Sequence, residues 1–408
     1  MSIAEQDTQQ ADIFRKCYDF RDAQEAREHG IYPYFRPIQE YRGGRVISEG
    51  RELIMAGSNN YLGLSLDPRL RDAAEEAVRT YGTSCSGSRF MNGTLALHEE
   101  LEERLARFVQ KERALCFTTG YQTNLGAISA LVGRGDHVIT DKLNHASIMD
   151  GIFMTLGMNK NVNVHRYKHN NLQQLESILA DIPSDEAKLI VTDGVFSMEG
   201  DIAKMPELRV LADRYGARIY LDEAHSIGVV GETGRGSLEH YGDWDLADIV
   251  MCTFSKSFGS IGGFVAGDRE VIDYIQHFAR PLIFSASVPP ANLAAASKAL
   301  EIIENEPQRV RRLQAIADKM IAGFTERGFD VGNTETAVVP IIVGDNEKTF
   351  AFWQYLYDHG VYVNPVISPA VPPNRGLLRT SYMAIHTEDD LQLVLDTVEE
   401  GGKKLGII

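Results

Sequence analysis

The sequence predicts an α/β protein with a large, mostly parallel sheet domain and a smaller α+β domain at its C-terminal end. From about residue 95 onward, short apolar runs alternate with helical segments, which is typical of a parallel sheet covered by helices on both faces. Polar residues suited to ligand binding follow several of these runs, where the strands would end. Past about residue 290 the alternation stops, which marks a second domain.

The elements follow in order along three regions. Residues 1–57 are expected to form an N-terminal helix and an aromatic arm, 58–290 the large domain and 291–408 the small one. Strands of the large sheet are predicted at 114–119, 137–141, 188–195, 218–223, 248–253 and 262–266. Helices between them are predicted at 122–132, 171–180 and 205–215. The small domain is expected to hold a helical region at 291–327, strands at 337–343, 360–364 and 377–382, and a helix near 387–404.

Composition and charge exclude several classes of protein. The 408 residues are 44% hydrophobic and 24% charged, an ordinary globular composition. The formal net charge of −16 argues against nucleic acid as a partner, because phosphate neutralisation needs a basic face. The segment Met1 to Gln10 has no apolar stretch, so no secretory signal is expected. No apolar run is long enough to predict a transmembrane helix, which leaves room only for a peripheral membrane contact.

The cysteines predict neither a metal site nor a disulfide framework. Cys17, Cys85, Cys116 and Cys252 form no CxxC pair and no regular spacing. Incidental thiols of this kind are typical of a reducing compartment, so a cytoplasmic protein without a metal ion is expected.

The most informative segment is Thr253 to Gly259. Lys256 lies among small hydroxyl residues and glycine just after an apolar strand, a position from which a lysine can form a Schiff base with a carbonyl cofactor. Asp222 closes the preceding apolar strand, where a carboxylate is costly unless it has a charged partner. The pyridinium nitrogen of pyridoxal phosphate is such a partner, although a cap or turn carboxylate is the alternative.

Further polar residues follow the other strands. Gly120 and Tyr121 come after a strand and open a helix, whose N-terminal N–H groups suit a phosphate. The hydroxyls of Thr253 and Ser255, with Ser285, can add hydrogen bonds to it, although ordinary turn chemistry would also explain them.

Two histidines and one arginine complete the candidate residues. His145 follows a strand and can stack on an aromatic cofactor, or it can simply cap the next helix. His225, three residues after Asp222, is placed to reach the cofactor's phenolic oxygen. Arg379 lies inside an apolar strand, where a guanidinium needs an anion, either a substrate carboxylate or an internal salt bridge.

Taken together, these motifs resemble the α-oxoamine synthases, a family of fold-type I pyridoxal phosphate enzymes. The resemblance runs from about residue 30 to the C-terminus. It includes, in chain order, Ser58 to Gly63, Gly82 to Arg89, His98 to Glu102, Asn144 to Ser147, Asp222 to Gly228, Gly231 to Gly236 and Thr253 to Lys256.

The resemblance implies roles for individual residues. Lys256 would hold the cofactor and act as acid and base, Asp222 would pair with the pyridinium nitrogen, and His225 would bond the phenolic oxygen. His145 would stack on the ring and help to place the substrate carboxylate. The phosphate would be bound by Gly120, Tyr121, Thr253 and Ser255, with Ser285 from the neighbouring subunit. Asn60 and Ser84, in the Gly82 to Ser88 loop, would approach the site across the interface of a homodimer with shared active sites.

The family condenses an amino acid with an acyl thioester and releases carbon dioxide. The segment Ser368 to Pro372 and the Tyr32 to Phe35 arm favour the bacterial members that join L-serine to palmitoyl-CoA, giving 3-ketodihydrosphingosine in the first step of sphingolipid biosynthesis. Ile367 departs from some of these members, which have an arginine there. A glycine- or alanine-using synthase and an aminotransferase stay as alternatives. A non-catalytic partner subunit is disfavoured, because Lys256 and Asp222 are both present.

Overall fold

The computed structural model describes residues 12–158, 161–368 and 370–408. Its strands are, in chain order, β1 Ile38–Arg42, β2 Arg45–Ser48, β3 Arg51–Met55, β4 Arg113–Phe117, β5 His137–Asp141, β6 Asn163–Tyr167, β7 Lys188–Asp193, β8 Ala217–Asp222, β9 Ile249–Thr253, β10 Gly263–Gly267, β11 Val338–Gly344, β12 Val361–Tyr362, β13 Asn364–Val366 and β14 Gly376–Ser381. The segment Met1 to Gln10, predicted to carry no secretory signal, and Pro369 of the Ser368 to Pro372 segment lie outside the described residues.

The helices alternate with the strands through most of the chain. They are α1 Arg15–Tyr18, α2 Asp22–Glu28, α3 Pro68–Tyr81, α4 Ala96–Phe108, α5 Gly120–Leu131, α6 Ala146–Gly157, α7 Leu172–Asp181, α8 Met205–Tyr215, α9 Ser237–Tyr241, α10 Arg269–Phe278, α11 Arg280–Ile283, α12 Pro290–Asn305, α13 Gln308–Glu326, α14 Asn346–Asp358 and α15 Glu388–Lys404. No helix of the described ranges is long and apolar enough to cross a membrane.

The large sheet has seven strands in the order β4-β10-β9-β8-β7-β5-β6. Parallel pairs join β5 to β6 and β7, and β8 to β7 and β9. β10 is antiparallel to both of its neighbours, β9 and β4. The predicted mostly parallel sheet is therefore confirmed, and each of the predicted strands has a counterpart in it.

Both faces of this sheet are buried, which explains why its strands are continuous apolar runs. In β9, Val250 and Cys252 contribute to one core, and Ile249 and Met251 contribute to the core on the opposite face. Successive strand residues point to opposite faces, so a strand covered on both sides needs apolar residues at every position.

β6 is the strand of this sheet that the sequence pattern did not predict. It lies at the edge of the sheet, and most of its residues are exposed or half-buried. An edge strand with one open side does not need an apolar run, so its segment Asn163–Tyr167 gives no hydrophobic signal.

The small domain is built around the antiparallel sheet β11-β14-β13. The helical region predicted at 291–327 is two helices, α12 and α13, which are separated at Pro307 because proline cannot donate a backbone hydrogen bond. β12 does not belong to the β11-β14-β13 sheet but pairs in parallel with β3 of the N-terminal region. Leu53 and Ile54 share a core with Trp353 of the small domain. The division into three regions stays a prediction. The shared core shows that the first and last regions are in contact.

The carboxyl ends of the parallel strands place the predicted motifs together. β5, β7, β8 and β9 end at Asp141, Asp193, Asp222 and Thr253, and α5 begins three residues after β4. Because parallel strands end along one edge of the sheet, the loops that follow them meet there.

Candidate active site

A cavity of about 280 Å³ opens at this edge of the large sheet. Its walls come from the loops after β4, β5, β7, β8 and β9 and from the first turn of α5. The lining residues are Thr119, Gly120, Tyr121, Asn124, His145, Ser147, Asp193, Asp222, Ala224, His225, Met251, Thr253, Ser255, Lys256, Ile261 and Gly262. The predicted cofactor residues, apart from Ser285, therefore line one cavity.

Lys256 leaves the sheet just after β9 and enters this cavity. Burial lowers the pKa of its amine, although the nearby Asp222 carboxylate opposes that shift. A lysine with a lowered pKa is more often neutral near neutral pH, and only the neutral amine can act as a nucleophile or base.

Asp222 is the last residue of β8 and is 3% exposed. Its Oδ2 accepts a hydrogen bond from Nδ2 of Asn124 at 2.7 Å, and its Oδ1 accepts one from the backbone N–H of Ala224 at 2.9 Å. Both donors are uncharged. A buried carboxylate held only by neutral donors is suited to pair with a cationic ligand atom.

His225 lines the same cavity and is also buried. Its Nδ1 lies 2.7 Å from the hydroxyl of Tyr61, and the two rings meet edge to face. Burial holds the pKa of His225 well below its usual range, and the positive charges of Lys256 and Arg379 add to that effect. The ring is therefore neutral at neutral pH and can form hydrogen bonds without adding charge.

His145 is the N-cap residue of α6 and lines the cavity at the same time. Its Nδ1 accepts a hydrogen bond from the backbone N–H of Ser147 at 3.2 Å. The backbone N–H of His145 donates to Oδ2 of Asp193 at 2.9 Å. Burial lowers the pKa of its ring. The two interpretations of this histidine, helix cap and site residue, are thus compatible in one side chain.

The N-terminal end of α5 forms another part of the cavity wall. A Cβ atom on Gly120 would lie 2.6 Å from Cβ and Oγ1 of Thr253, so only glycine fits where these two segments of the chain approach each other. Thr253 and Ser255 hold their hydroxyls 2.9 Å apart. Backbone donors at a helix start and paired hydroxyls form a surface that suits a phosphate group.

Tyr121 and Ser285 lie near this end in different ways. Tyr121 is 47% exposed, and its hydroxyl donates to the Asp150 carboxylate. Ser285 lies outside the cavity lining, where its Oγ accepts from Nε2 of Gln122 at 3.1 Å. Its predicted contribution from a neighbouring subunit stays a prediction.

Arg379 is 5% exposed on β14, and its guanidinium contacts only neutral oxygen atoms. It donates to the carbonyl of Ser197 at 2.6 Å, to Oδ1 of Asn59 at 3.0 Å and to the hydroxyl of Tyr61 at 3.4 Å. Among the described residues no carboxylate forms an ion pair with it. The alternative of an internal salt bridge is therefore not what the structure shows, and the buried charge is available to an anion.

The two remaining predicted substrate residues lie elsewhere in this chain. The Asn60 amide bonds with Ser65, and the neighbouring Asn59 makes the contact with Arg379. Ser84 is exposed, and its hydroxyl accepts from the backbone N–H of Ser86. Their approach to a site across a subunit interface stays a prediction.

Several residues of the cavity were not singled out from the sequence. Asp193 is a carboxylate that ends a buried apolar strand, which is the signal by which Asp222 was singled out. The two residues are register neighbours on β7 and β8. The same signal could therefore have found Asp193. Asn124 lies four residues after Gly120 on α5, so it shares a helix face with that glycine. Tyr61 does not line the cavity but contacts His225, and it lies within the Ser58 to Gly63 motif without having been singled out.

Comparison with known proteins agrees with this site. A family model described as aminotransferase class I and II matches residues 51–398. The serine palmitoyltransferase of Sphingobacterium spiritivorum is 48% identical over 372 residues, which are 91% of this chain and 92% of that protein. The 8-amino-7-oxononanoate synthase of Geobacter sulfurreducens is 44% identical over 389 residues, 95% of this chain and 98% of that protein. The chain belongs to the α-oxoamine synthase family, within the class I and II aminotransferases.

A solved structure supports this membership at the level of the fold. It is a lysine-to-alanine variant of the serine palmitoyltransferase from S. paucimobilis, with a bound PLP–myriocin aldimine. Its TM-score is 0.93 at 35% identity, and the match covers 98% of this chain and 100% of that one. The fold is that of a fold-type I pyridoxal phosphate transferase, as predicted.

The cavity fits the cofactor of the α-oxoamine synthases, pyridoxal phosphate. It offers a lysine amine for the aldehyde, a buried carboxylate for the pyridinium nitrogen and a helix N-terminus with hydroxyls for the phosphate. Lys256, Asp222 and the Gly120 region supply these three groups from separate loops.

Proposed function

We propose that this protein catalyses the decarboxylative condensation of L-serine with palmitoyl-CoA, giving 3-ketodihydrosphingosine, CoA and carbon dioxide. The observation that carries the proposal is the full set of catalytic residues in one cavity of a chain that is 43–48% identical to four proteins named serine palmitoyltransferase. The chain is thus an acyltransferase of lipid metabolism in this proposal.

The cofactor site would be held by residues already in place. When bound, pyridoxal phosphate supplies an electron sink for the α-carbon of the amino acid. Asp222 would keep the pyridinium nitrogen charged, and His225 would donate to the phenolic oxygen. The N–H groups at the start of α5, with Thr253 and Ser255, would bind the phosphate.

Lys256 would move the protons of the reaction. Its Nζ would take the α-proton of serine and later return a proton to the same carbon. The lowered pKa of this amine matches that task, because a base must be unprotonated before it can act. A new C–C bond forms between the serine α-carbon and the thioester carbonyl, the C–S bond breaks to release CoA, and the carboxyl group leaves as carbon dioxide.

Arg379 and His145 would hold the serine carboxylate. The Arg379 guanidinium is buried without a carboxylate partner in the described residues, and it contacts Tyr61, which is also the partner of the cavity residue His225. His145 lines the cavity itself. A carboxylate that is bound by charge-assisted hydrogen bonds is less ready to leave, so proton loss comes first. In this chain Ile367 contributes no charge, and Arg379 carries that role.

We also propose a cytoplasmic homodimer with shared active sites and a peripheral contact with membrane lipid. Large apolar side chains are exposed in the single chain, including Met91 at 77% and Phe284 at 72%. Exposed apolar surface of this kind favours an interface. The four cysteines are free thiols, which suits a reducing compartment. Light scattering after gel filtration measures the oligomeric state.

Product mass spectrometry tests the proposed reaction. The cofactor-loaded protein is incubated with palmitoyl-CoA and an equimolar mixture of serine, glycine and alanine. A dominant 3-ketodihydrosphingosine mass supports the proposal, and Lys256→Ala is the inactive control. An alanine-derived aminoketone, or turnover only with a shorter thioester, would instead favour the second candidate, an 8-amino-7-oxononanoate synthase, to which relatives at 40–44% identity point.

A further inference from the structure

One buried amide connects the two sides of the active site. Asn124 on α5 is 1% exposed, and its Nδ2 donates to Oδ2 of Asp222 at 2.7 Å and to Oγ of Ser147 at 2.9 Å. Its Oδ1 accepts from the hydroxyl of Tyr220 at 2.9 Å. Both N–H bonds of the amide are used, so this side chain has a fixed place in the network.

The charge of Asp222 decides the orientation of the amide. An ionised carboxylate only accepts hydrogen bonds, so the amide atom that faces it must be the nitrogen. The amide oxygen then faces Tyr220, whose buried hydroxyl is a donor. A flipped amide would place two oxygen atoms together at Asp222 and leave Ser147 without this donor.

Ser147 connects the Asn124 amide to the ring of His145. Oγ of Ser147 accepts from Asn124 and lies 2.7 Å from Nδ1 of His145, so the hydroxyl proton is free to point to that nitrogen. The backbone N–H of Ser147 donates to the same Nδ1 at 3.2 Å, because His145 is the N-cap of α6. A backbone N–H cannot accept, so Nδ1 is the ring nitrogen without a proton.

We propose that Asn124 and Ser147 are positioning residues that hold His145 in the neutral form with its proton on Nε2, so that this ring donates to the substrate carboxylate. The opposite tautomer would turn a lone pair towards a negative group. The identity of that carboxylate rests on the proposed function, whereas the tautomer does not. Burial, which lowers the pKa of His145, favours the neutral ring in addition.

The Asn124 amide also orients Asp222, so substitutions at Asn124 and at Ser147 are expected to have different effects. A change at Asn124 disturbs the carboxylate and the histidine together. A change at Ser147 disturbs His145 directly and can reach Asp222 only through Asn124, because Ser147 makes no contact with Asp222 in the described network.

The tautomer is measured by ¹⁵N NMR on histidine-labelled protein without cofactor, with His145→Gln used to assign the two ring nitrogens. The expected result is a proton on Nε2 and none on Nδ1. Ser147→Ala keeps the backbone N–H and loses the hydroxyl, so the Nδ1-protonated form should become detectable. A proton on Nδ1 of the unchanged protein, or a spectrum that Ser147→Ala leaves unchanged, would overturn the proposal.

Kinetics with the loaded enzyme test the consequence for the substrate. Ser147→Ala should raise the KM for serine about fivefold, the value of one neutral hydrogen bond, without changing the KM for palmitoyl-CoA. Ser147→Thr keeps the hydroxyl and should restore the KM. Thr155→Val removes another buried hydroxyl of α6 away from the cavity and should have no effect on KM. An equal rise in Thr155→Val would contradict a specific role for Ser147.

The two measurements keep this inference apart from the proposed function. If serine is not the substrate, the kinetic arm is repeated with the amino acid that the enzyme accepts, and the NMR result is unchanged. If serine is the substrate and Nδ1 carries the proton, the proposed function stands and the positioning role fails.

Discussion

The hydroxyl of Tyr61 lies 2.7 Å from Nδ1 of His225, and the same hydroxyl accepts from Nη2 of Arg379 at 3.4 Å. One tyrosine therefore links a residue assigned to the cofactor with one assigned to the substrate carboxylate. His225 belongs to the large domain and Arg379 to a strand of the small domain. The position of the His225 imidazole relative to the Arg379 guanidinium therefore depends on Tyr61, a residue that contributes no charge.

We expect Tyr61→Phe to lower kcat/KM for serine about tenfold and to destabilise the protein by about 1–2 kcal/mol. The change removes the partner of a buried imidazole nitrogen, and an unsatisfied buried polar atom carries this order of cost. Steady-state kinetics and urea unfolding measure the two effects. Tyr241→Phe is the matched control, since it removes one hydrogen bond, to the carbonyl of Ala203, away from the cavity. Equal kinetic losses in both variants would contradict the link.

Arg379→Gln should raise the KM for serine by about 10- to 100-fold and leave the KM for palmitoyl-CoA nearly unchanged. A charge-assisted pair is worth about 1.5–3 kcal/mol, and the glutamine amide retains neutral hydrogen bonds. Arg379→Lys keeps the charge but loses the planar fork, so an intermediate KM is expected. Arg327→Gln is the control, because Arg327 is the C-cap residue of α13 and pairs with Glu399 of α15, away from the cavity. A normal serine KM in Arg379→Gln would show that another group binds the carboxylate.

The sequence was sufficient to predict most of the fold, because parallel strands that are buried on both faces consist of continuous apolar runs. The edge strand β6 lacks such a run, and the break at Pro307 was hidden within a longer helical pattern. These two misses come from segments whose local pattern is set by position in the sheet or by one residue. The strands β1, β2 and β3 were also not predicted, since residues 1–57 were expected to form a helix and an arm.

The candidate site divides in the same way. Asp222 ends a strand, and Lys256 and Gly120 closely follow strands, so the fold alone brings them to one edge of the sheet. Asn59, the residue that meets Arg379, lies on an irregular segment beside Asn60, where a one-residue difference changes which side chain reaches the site. Loop backbones are not constrained by a periodic pattern, so such a choice requires the structure.

Gly120→Ala should weaken cofactor binding by at least about tenfold. The added Cβ would lie 2.6 Å from Thr253, which has to move together with its hydroxyl partner Ser255. Displaced hydroxyls cannot bond the phosphate in the same geometry. Titration of the apoprotein with pyridoxal phosphate, followed by absorbance, measures the affinity. Gly157→Ala meets no atom within 4 Å and is the control, where the helix should be unchanged or slightly more stable.

His169 should make the stability of the fold depend on pH in the alkaline range. Its ring bonds Oδ1 of Asp141 at 3.2 Å and Oδ2 of Asp201 at 2.8 Å, and it packs edge to face on Phe196. Burial alone would lower the pKa of His169, but the two carboxylates outweigh it and raise that pKa to about 10. A histidine whose pKa is raised on folding stabilises the protein fully below its unfolded pKa of 6.5.

This contribution declines as the pH rises from 6.5 and is lost above about 10, because the folded state then no longer holds the extra proton. The free energy of unfolding in urea should therefore fall over this range in the unchanged protein. The difference between it and His169→Gln should be largest near neutral pH or below and should shrink towards the alkaline end. His277→Gln, at an exposed site on α10, is the control and should give a difference that is small at every pH. A His169→Gln difference that stays constant across the range would show that the two carboxylates do not hold a charged imidazole.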